Sequence, residues 1–168
     1  LYAADVNNAG TILATAGYDQ AIKLWDVKTG TELRTLNGHN GAIFDLAFHP
    51  SGKFLASASG DFTVKLWDVA TGKRLDTRNE PTKGQNTVCF SPDGKWLAAG
   101  GIDNRIRVWR MTKRGAAEIT YSRFAHAAPT LKLVFSPDGR QLISSAEDRT
   151  IKVRETGEFT QAAVLNKQ

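Results

Sequence analysis

The sequence predicts an all-β protein, a β-propeller segment of four consecutive four-stranded antiparallel blades. Three observations carry that expectation. The phrases KLWD (23–26), KLWD (65–68), RVWR (107–110) and KVRE (152–155) place Trp25, Trp67, Trp109 and Arg154 at spacings of 42, 42 and 45 residues. The turn glycines Gly10, Gly52, Gly94 and Gly139, in NNAG, HPSG, SPDG and SPDG, repeat the same spacings. Between these markers the runs are short, β-prone and punctuated by turn residues, and no window carries a helical apolar stripe. Two independent markers with one period identify a repeat array, and a unit of about forty residues matches the length of a propeller blade.

Each element of the unit follows in order. A first strand is expected near 1–6, 42–48, 86–91 and 130–136, as in AIFDLAF. SPDG then supplies Asp-Gly for a tight hairpin turn in the third and fourth units. The second and third strands follow, read in the second unit as KFLASAS and TVKLWD. A fourth, more polar strand comes after each Trp-Asp, as in ELRTLN and KRLDTRN, and its polarity suits an outer edge that must face water without recruiting another chain. The three extra residues of the last spacing fall between Trp109 and Gly139, in MTKRGAAEITYSRFAH. The blades are therefore expected at about 1–37, 38–79, 80–124 and 125–168.

Composition sets outer bounds. A chain of 168 residues can bury about 70% of its unfolded surface in a core. A hydrophobic content of 41% and a charged content of 23% are ordinary for a globular protein. The net charge is +5, but the lysines and arginines are scattered through turns and outer strands. No run is dense enough to read as a nucleic-acid tract, so nucleic acid is an unlikely partner. The single cysteine rules out an intrachain disulfide and a cysteine-rich metal site. Cys89, in NTVCFSPDG, is expected to face inward as a small buried hydrophobe. No apolar run approaches the length of a membrane span. The opening LYAADV reads as the middle of a strand pattern, and nothing indicates a compartment.

A GH pair ahead of the first strand, a turn aspartate and WD at the end of the third strand, phased over four units, closely resemble the WD-repeat β-propeller family, and SPDG-rich units look like its bacterial branch. The resemblance implies a buried network in each blade: a histidine before the first strand, a serine or threonine on the second, a turn aspartate and the third-strand tryptophan. By position the second blade has all four, in His39, Ser57, Asp61 and Trp67. The first has Thr15, Asp19 and Trp25, its histidine place lying before Leu1. The third keeps Asp103 and Trp109 but has Pro81 for the histidine and Ala99 for the serine. The fourth has His126, Ser144 and Asp148, with Arg154 for the tryptophan. His39 to Trp67 and His126 to Arg154 both span 28 residues, in support of the alignment.

Serine, histidine and aspartate are also the ingredients of a hydrolase, but a nucleophilic serine needs a cleft, an oxyanion hole and a base free to change protonation. A serine in mid-strand, in a sheet packed on both faces, has none of these, and a buried aspartate needs a partner. With no phosphate loop and no metal-ligand spacing, the expectation is a protein without catalytic residues, metal or cofactor. The expected function is a protein-interaction scaffold with a protein or peptide partner. The alternative is a propeller serving an attached or associated enzyme domain, as in bacterial relatives, or holding a small ligand in its channel.

In WD-repeat relatives the partner face carries three positions per blade: the third and fifth after the histidine place, and the residue before the turn aspartate. Here these are Tyr2 and Tyr18 in the first blade, and Ala42, Phe44 and Gly60 in the second. The third blade supplies Gly84, Asn86 and Ile102, and the fourth Pro129, Leu131 and Glu147. The set is apolar for a surface, and its aromatic members are the residue types that dominate binding energy. Rings of this family usually close with seven or eight blades, so four leave apolar sheet faces open at both ends. The chain is then a piece of a larger ring, or two copies self-associate into an eight-bladed one; the strand-like start and the tail VLNKQ favour the piece.

Overall fold

The structure is a computed structural model that describes residues 1–113 and 115–166. Sixteen strands form four antiparallel sheets of four, each in chain order: β1–β4, β5–β8, β9–β12 and β13–β16. The first strands are β1 (Ala3–Val6), β5 (Ile43–Phe48), β9 (Gln85–Phe90) and β13 (Thr130–Phe135), and consecutive ones lie side by side. These are four β-propeller blades.

Alternation explains how the blades stack. In the first sheet, β2 (Ile12–Ala16) and β3 (Ile22–Asp26) turn Ala14, Ala16, Ile22 and Leu24 to one face. Small and branched side chains there leave room for the bulky set of the next blade, Leu46, Leu55 and Trp67. The same arrangement recurs between the second and third sheets, where Ala56, Ala58, Val64 and Leu66 receive Leu97 and Trp109. Between the third and fourth, Ala98, Ile106 and Val108 receive Leu133 and Leu142. Trp67 and Trp109 are fully buried in these seams. Truncating such a side chain costs roughly 3–5 kcal/mol. Cys89 faces inward as expected and packs against the third seam, with part of its surface left accessible.

The SPDG turn is wider than the tight hairpin expected. Five residues, 91–95, separate β9 from β10 (Trp96–Gly101). Gly94 donates its N–H to the Ser91 carbonyl at 2.8–2.9 Å, as do Gly10, Gly52 and Gly139 to the residue three before each. All four glycines have φ between 69° and 72°, so the glycine closes the turn from the left-handed region and Pro92 opens it. Ser91 Oγ accepts the Trp96 N–H and is held by Asp93. The extra residues of the third unit lengthen the outer hairpin: β11 (Arg105–Thr112) and β12 (Gly115–Phe124) pair with two register shifts around Trp109. Residue 114 of that hairpin and the last two residues of the tail VLNKQ lie outside the described residues.

Candidate functional site

In the second blade the strands bring His39, Ser57, Asp61 and Trp67 into one chain of hydrogen bonds. Asp61 stands in the turn between β6 (Phe54–Ser59) and β7 (Val64–Asp68), and Ser57 lies directly opposite Lys65 across those strands. His39 Nδ1 is 2.7 Å from Asp61 Oδ2, and His39 Nε2 is 2.7 Å from Ser57 Oγ. The Trp67 Nε1–H donates to the same hydroxyl at 2.9 Å. One proton arrangement satisfies every member: Nδ1–H donates to the carboxylate, Nε2 accepts the serine O–H, and the serine oxygen accepts the indole. That arrangement needs a neutral imidazole. Burial lowers the His39 pKa against the opposing pull of Asp61, so the ring is neutral at pH 7. Burial alone would raise Asp61, but bonds from His39, Thr63 and the Asn40 N–H outweigh it and hold the carboxyl far below its ordinary range.

The fourth blade repeats this with one exchange. His126 joins Ser144 at 2.8 Å and Asp148 at 3.1 Å, and Arg154 Nη1 donates to Ser144 Oγ at 3.1 Å where an indole stands in the second blade. In the first blade Trp25 Nε1–H donates to Thr15 Oγ1 at 2.8 Å, while Asp19 is exposed and no side-chain hydrogen bond anchors it among the described residues. The third blade is built differently. Arg107 turns inward and pairs with Asp103 at 2.7 Å, both side chains at most 4% exposed. The guanidinium takes over the carboxylate that a histidine holds in the second and fourth blades.

Sequence reasoning missed Arg107, because a basic residue recurs two places before each tryptophan position and reads as surface. The available signal was the coincidence of Arg at 107 with Pro81 in the histidine place. It also missed a second row, across the first strands. Asp45 Oδ2 accepts from Thr87 Oγ1, the Val88 N–H and Lys132 Nζ at 2.9–3.0 Å, and Thr87 Oγ1 accepts the Leu133 N–H at 3.2 Å. Blades two, three and four are thus tied by side chains as well as by apolar packing. In the same way Asp5 accepts the Phe48 N–H across the first seam.

None of this is arranged for chemistry on a substrate. Ser57 and Ser144 are fully buried, and both oxygens are already engaged by a histidine and a second donor. Among the described residues no group of three or more histidine, cysteine or carboxylate side chains is placed to hold a metal ion. Burial pushes the Cys89 thiol up, away from the reactive thiolate. Among the described residues no helix is long and apolar enough to cross a membrane.

The loop-face residues fall into three groups. Tyr2, Tyr18, Phe44, Ile102, Leu131 and Glu147 are exposed, Tyr18 most of all at 78%. Ala42, Gly60, Asn86 and Pro129 are half-buried, and the Asn86 amide is committed to the Thr130 carbonyl at 2.9 Å. Gly84 is buried and is not a contact residue: a Cβ there would meet Ile102 Cδ1 at 3.3 Å and the Gly60 Cα at 3.4 Å. Its smallness lets two blades close up. The result is a continuous apolar surface over three blades. Tyr2 and Phe44 pack with ring centroids 5.8 Å apart, the Phe44 ring edge lies against Gly60, Gly60 adjoins Gly84, and Gly84 adjoins Ile102.

Comparison with known proteins agrees with this architecture. The family model described as WD domain, G-beta repeat, matches residues 1–26, 30–68, 72–110 and 118–154. A 43-residue stretch is 54% identical to nuclear distribution protein PAC1-2 of Postia placenta, covering 26% of this chain and 10% of that protein. Stretches of 44 residues are 46% identical to coronin-7 of Rattus norvegicus and 41% identical to human dynein assembly factor with WD repeat domains 1. These two cover 26% of this chain and 5% and 11% of the respective relatives, so the chain spans only a small part of the proteins it matches. With the family model covering most of its length and four blades in its fold, the chain belongs to the WD-repeat family.

Proposed function

We propose that this chain is a non-catalytic scaffold that binds a protein or peptide partner through the face carrying Tyr2, Tyr18, Phe44 and Ile102. WD-repeat relatives support a protein-interaction role in general. The observation that carries the specific reading is the row of exposed apolar side chains Tyr2, Phe44 and Ile102, which follow one another across three blades over the closely packed Gly60 and Gly84. Aromatic anchors on a rigid frame are what interface hot spots require. The face includes Leu131 and Glu147 on the fourth blade at its far side.

A photo-crosslinking residue placed at Phe44 in the intact protein tests this, with Leu33 on the outer strand β4 (Glu32–Leu36) as the control. Crosslinks to one partner from position 44 and none from 33 are expected. The double variant Tyr2→Ala, Phe44→Ala should then lose that partner. Retained binding by the double variant overturns the assignment.

The ring is completed at the open ends. Thr15, Lys23 and Trp25 on the first blade occupy the positions of Ser57, Lys65 and Trp67, which the neighbouring blade buries in the second. A further blade, from a longer chain or a second copy, covers them. Light scattering distinguishes the two: the isolated chain forms a discrete dimer if the copy is the partner, and aggregates if further blades are needed.

A further inference from the structure

The third blade holds two buried nitrogen donors left without a protein partner among the described residues. Trp109 is fully buried and Arg107 is 3% exposed, yet Trp109 Nε1 and Arg107 Nη1 have no hydrogen-bond partner among the described residues. Strand register sets both residues beside Ala99. Ala99 lies opposite Arg107 as Ser57 lies opposite Lys65, and Leu97 lies opposite Trp109 as Leu55 lies opposite Trp67. Ala99 therefore stands where the second blade has the hydroxyl that accepts the indole and meets the imidazole. Arg107 Nη2 engages Asp103, as His39 Nδ1 engages Asp61, and also the Glu80 carbonyl, which leaves Nη1 available for the role that Nε2 has toward the hydroxyl position.

We infer that one water molecule is bound at this point, accepting from Arg107 Nη1 and Trp109 Nε1 in the seam between the second and third blades. Two convergent donors are enough to hold a buried water, and leaving both unpaired is costly. The charge balance selects water over an anion. Asp103 already neutralises Arg107 at 2.7 Å, so an anion would bring an uncompensated charge into a seam lined by Val88, Leu97 and Ala99. The first, second and fourth blades supply a protein hydroxyl at this point and leave no second donor to be served.

The test is heteronuclear NMR on the 15N-labelled intact protein, with the Trp109 indole N–H assigned through Trp109→Phe. A direct cross-relaxation peak to water is expected at Trp109, with the sign of a long-lived complex. The Trp67 indole, bonded to Ser57, should show none. In Ala99→Ser the new hydroxyl takes the water's place and the Trp109 peak is lost. A folded wild-type chain without the peak, or a peak that persists in Ala99→Ser, overturns the inference. So does a Trp109 indole shift that moves when chloride is exchanged for gluconate at constant ionic strength, which identifies an anion.

Discussion

Replacing the turn aspartate by alanine, one blade at a time, should give four different costs from one chemical change. In the second blade Asp61 accepts from His39 Nδ1 at 2.7 Å, from the Asn40 and Thr63 N–H groups at 3.0 Å, and from Thr63 Oγ1 at 2.6 Å. His39 has no exposed side-chain surface, and its nearest substitute acceptor, Thr63 Oγ1, is 3.4 Å away. Asp61→Ala strands that buried donor at about 1–3 kcal/mol and loosens two loop N–H groups at roughly 0.5 kcal/mol or more each, for about 2–4 kcal/mol in all. Asp103→Ala leaves the Arg107 charge unpaired in a buried site, a change that costs roughly 3–5 kcal/mol. Asp148 has the same set of partners as Asp61, with longer histidine contacts at 3.1–3.2 Å, and should fall slightly below it. Asp19→Ala should stay within about 0.5 kcal/mol, as surface changes do. Urea unfolding followed by tryptophan fluorescence and by far-ultraviolet circular dichroism gives the four values. If Asp61→Ala and Asp19→Ala shift the midpoint equally, the network contributes nothing and the reasoning fails.

Two further outcomes follow from the same geometry. Burial lowers His39 and His126, so the unfolded chain takes up protons near 6.5 where the fold does not. The unfolded state then binds more protons, and stability falls as pH drops below about 6.5. Asp61 and Asp148, the latter held near 2, add a second loss as pH falls below 3.8. Thermal unfolding from pH 8 to 3 should show both phases, and His39→Gln should flatten the first; a flat profile from pH 7.5 to 5 rejects it. Separately, Phe62 sits at φ 70° and is 51% exposed, a conformation that a bulky residue adopts only under strain. Phe62→Asn should therefore stabilise the fold by roughly 0.5–1 kcal/mol, asparagine being at ease in the left-handed region. A lowered urea midpoint would show that its ring packs usefully.

Period and register were legible because they depend on residue types that few other roles explain. Tryptophans and turn glycines with one spacing located the third strands and the turns between first and second. The first strands fell within a residue or two of the expected ends, apart from the two residues before Ala3. What the sequence hid has physical reasons. Gln20, Phe62, Asn104 and Arg149, each following the turn aspartate, all adopt positive φ, but their side chains share no chemistry that announces it. Arg107 was hidden because a basic residue two places before a tryptophan reads as surface, and its partner Asp103 looks no different from the other turn aspartates. Gly84 was placed on the partner face by counting from the histidine position, and counting does not measure loop depth. SPDG suggests a tight hairpin because Asp-Gly carries that signal, whereas the serine and proline before it build a longer turn.

The networks and the proposed binding face are one mechanical system. In the second, third and fourth blades the turn aspartate accepts the N–H of the residue after the histidine place: Asn40 at 3.0 Å, Thr82 at 3.3 Å and Ala127 at 2.9 Å. This bond survives whether the counter-donor is a histidine or Arg107, so the carboxylate's lasting task is to tie the incoming loop to the second-to-third strand turn. Those two segments carry the face residues, Ala42 and Phe44 on one and Gly60 on the other. The tie is reinforced by Ser59 Oγ, which donates to the Gly41 and Ala42 carbonyls and accepts the Asp61 N–H. Loosening the carboxylate therefore frees Phe44 to move relative to Gly60 while the seam behind it, packed on Trp67, stays closed. An exposed apolar surface binds tightly only when its anchors are held before the partner arrives. On the proposed function, the buried histidine and aspartate contribute to recognition by fixing the anchors, although neither is placed to touch a partner.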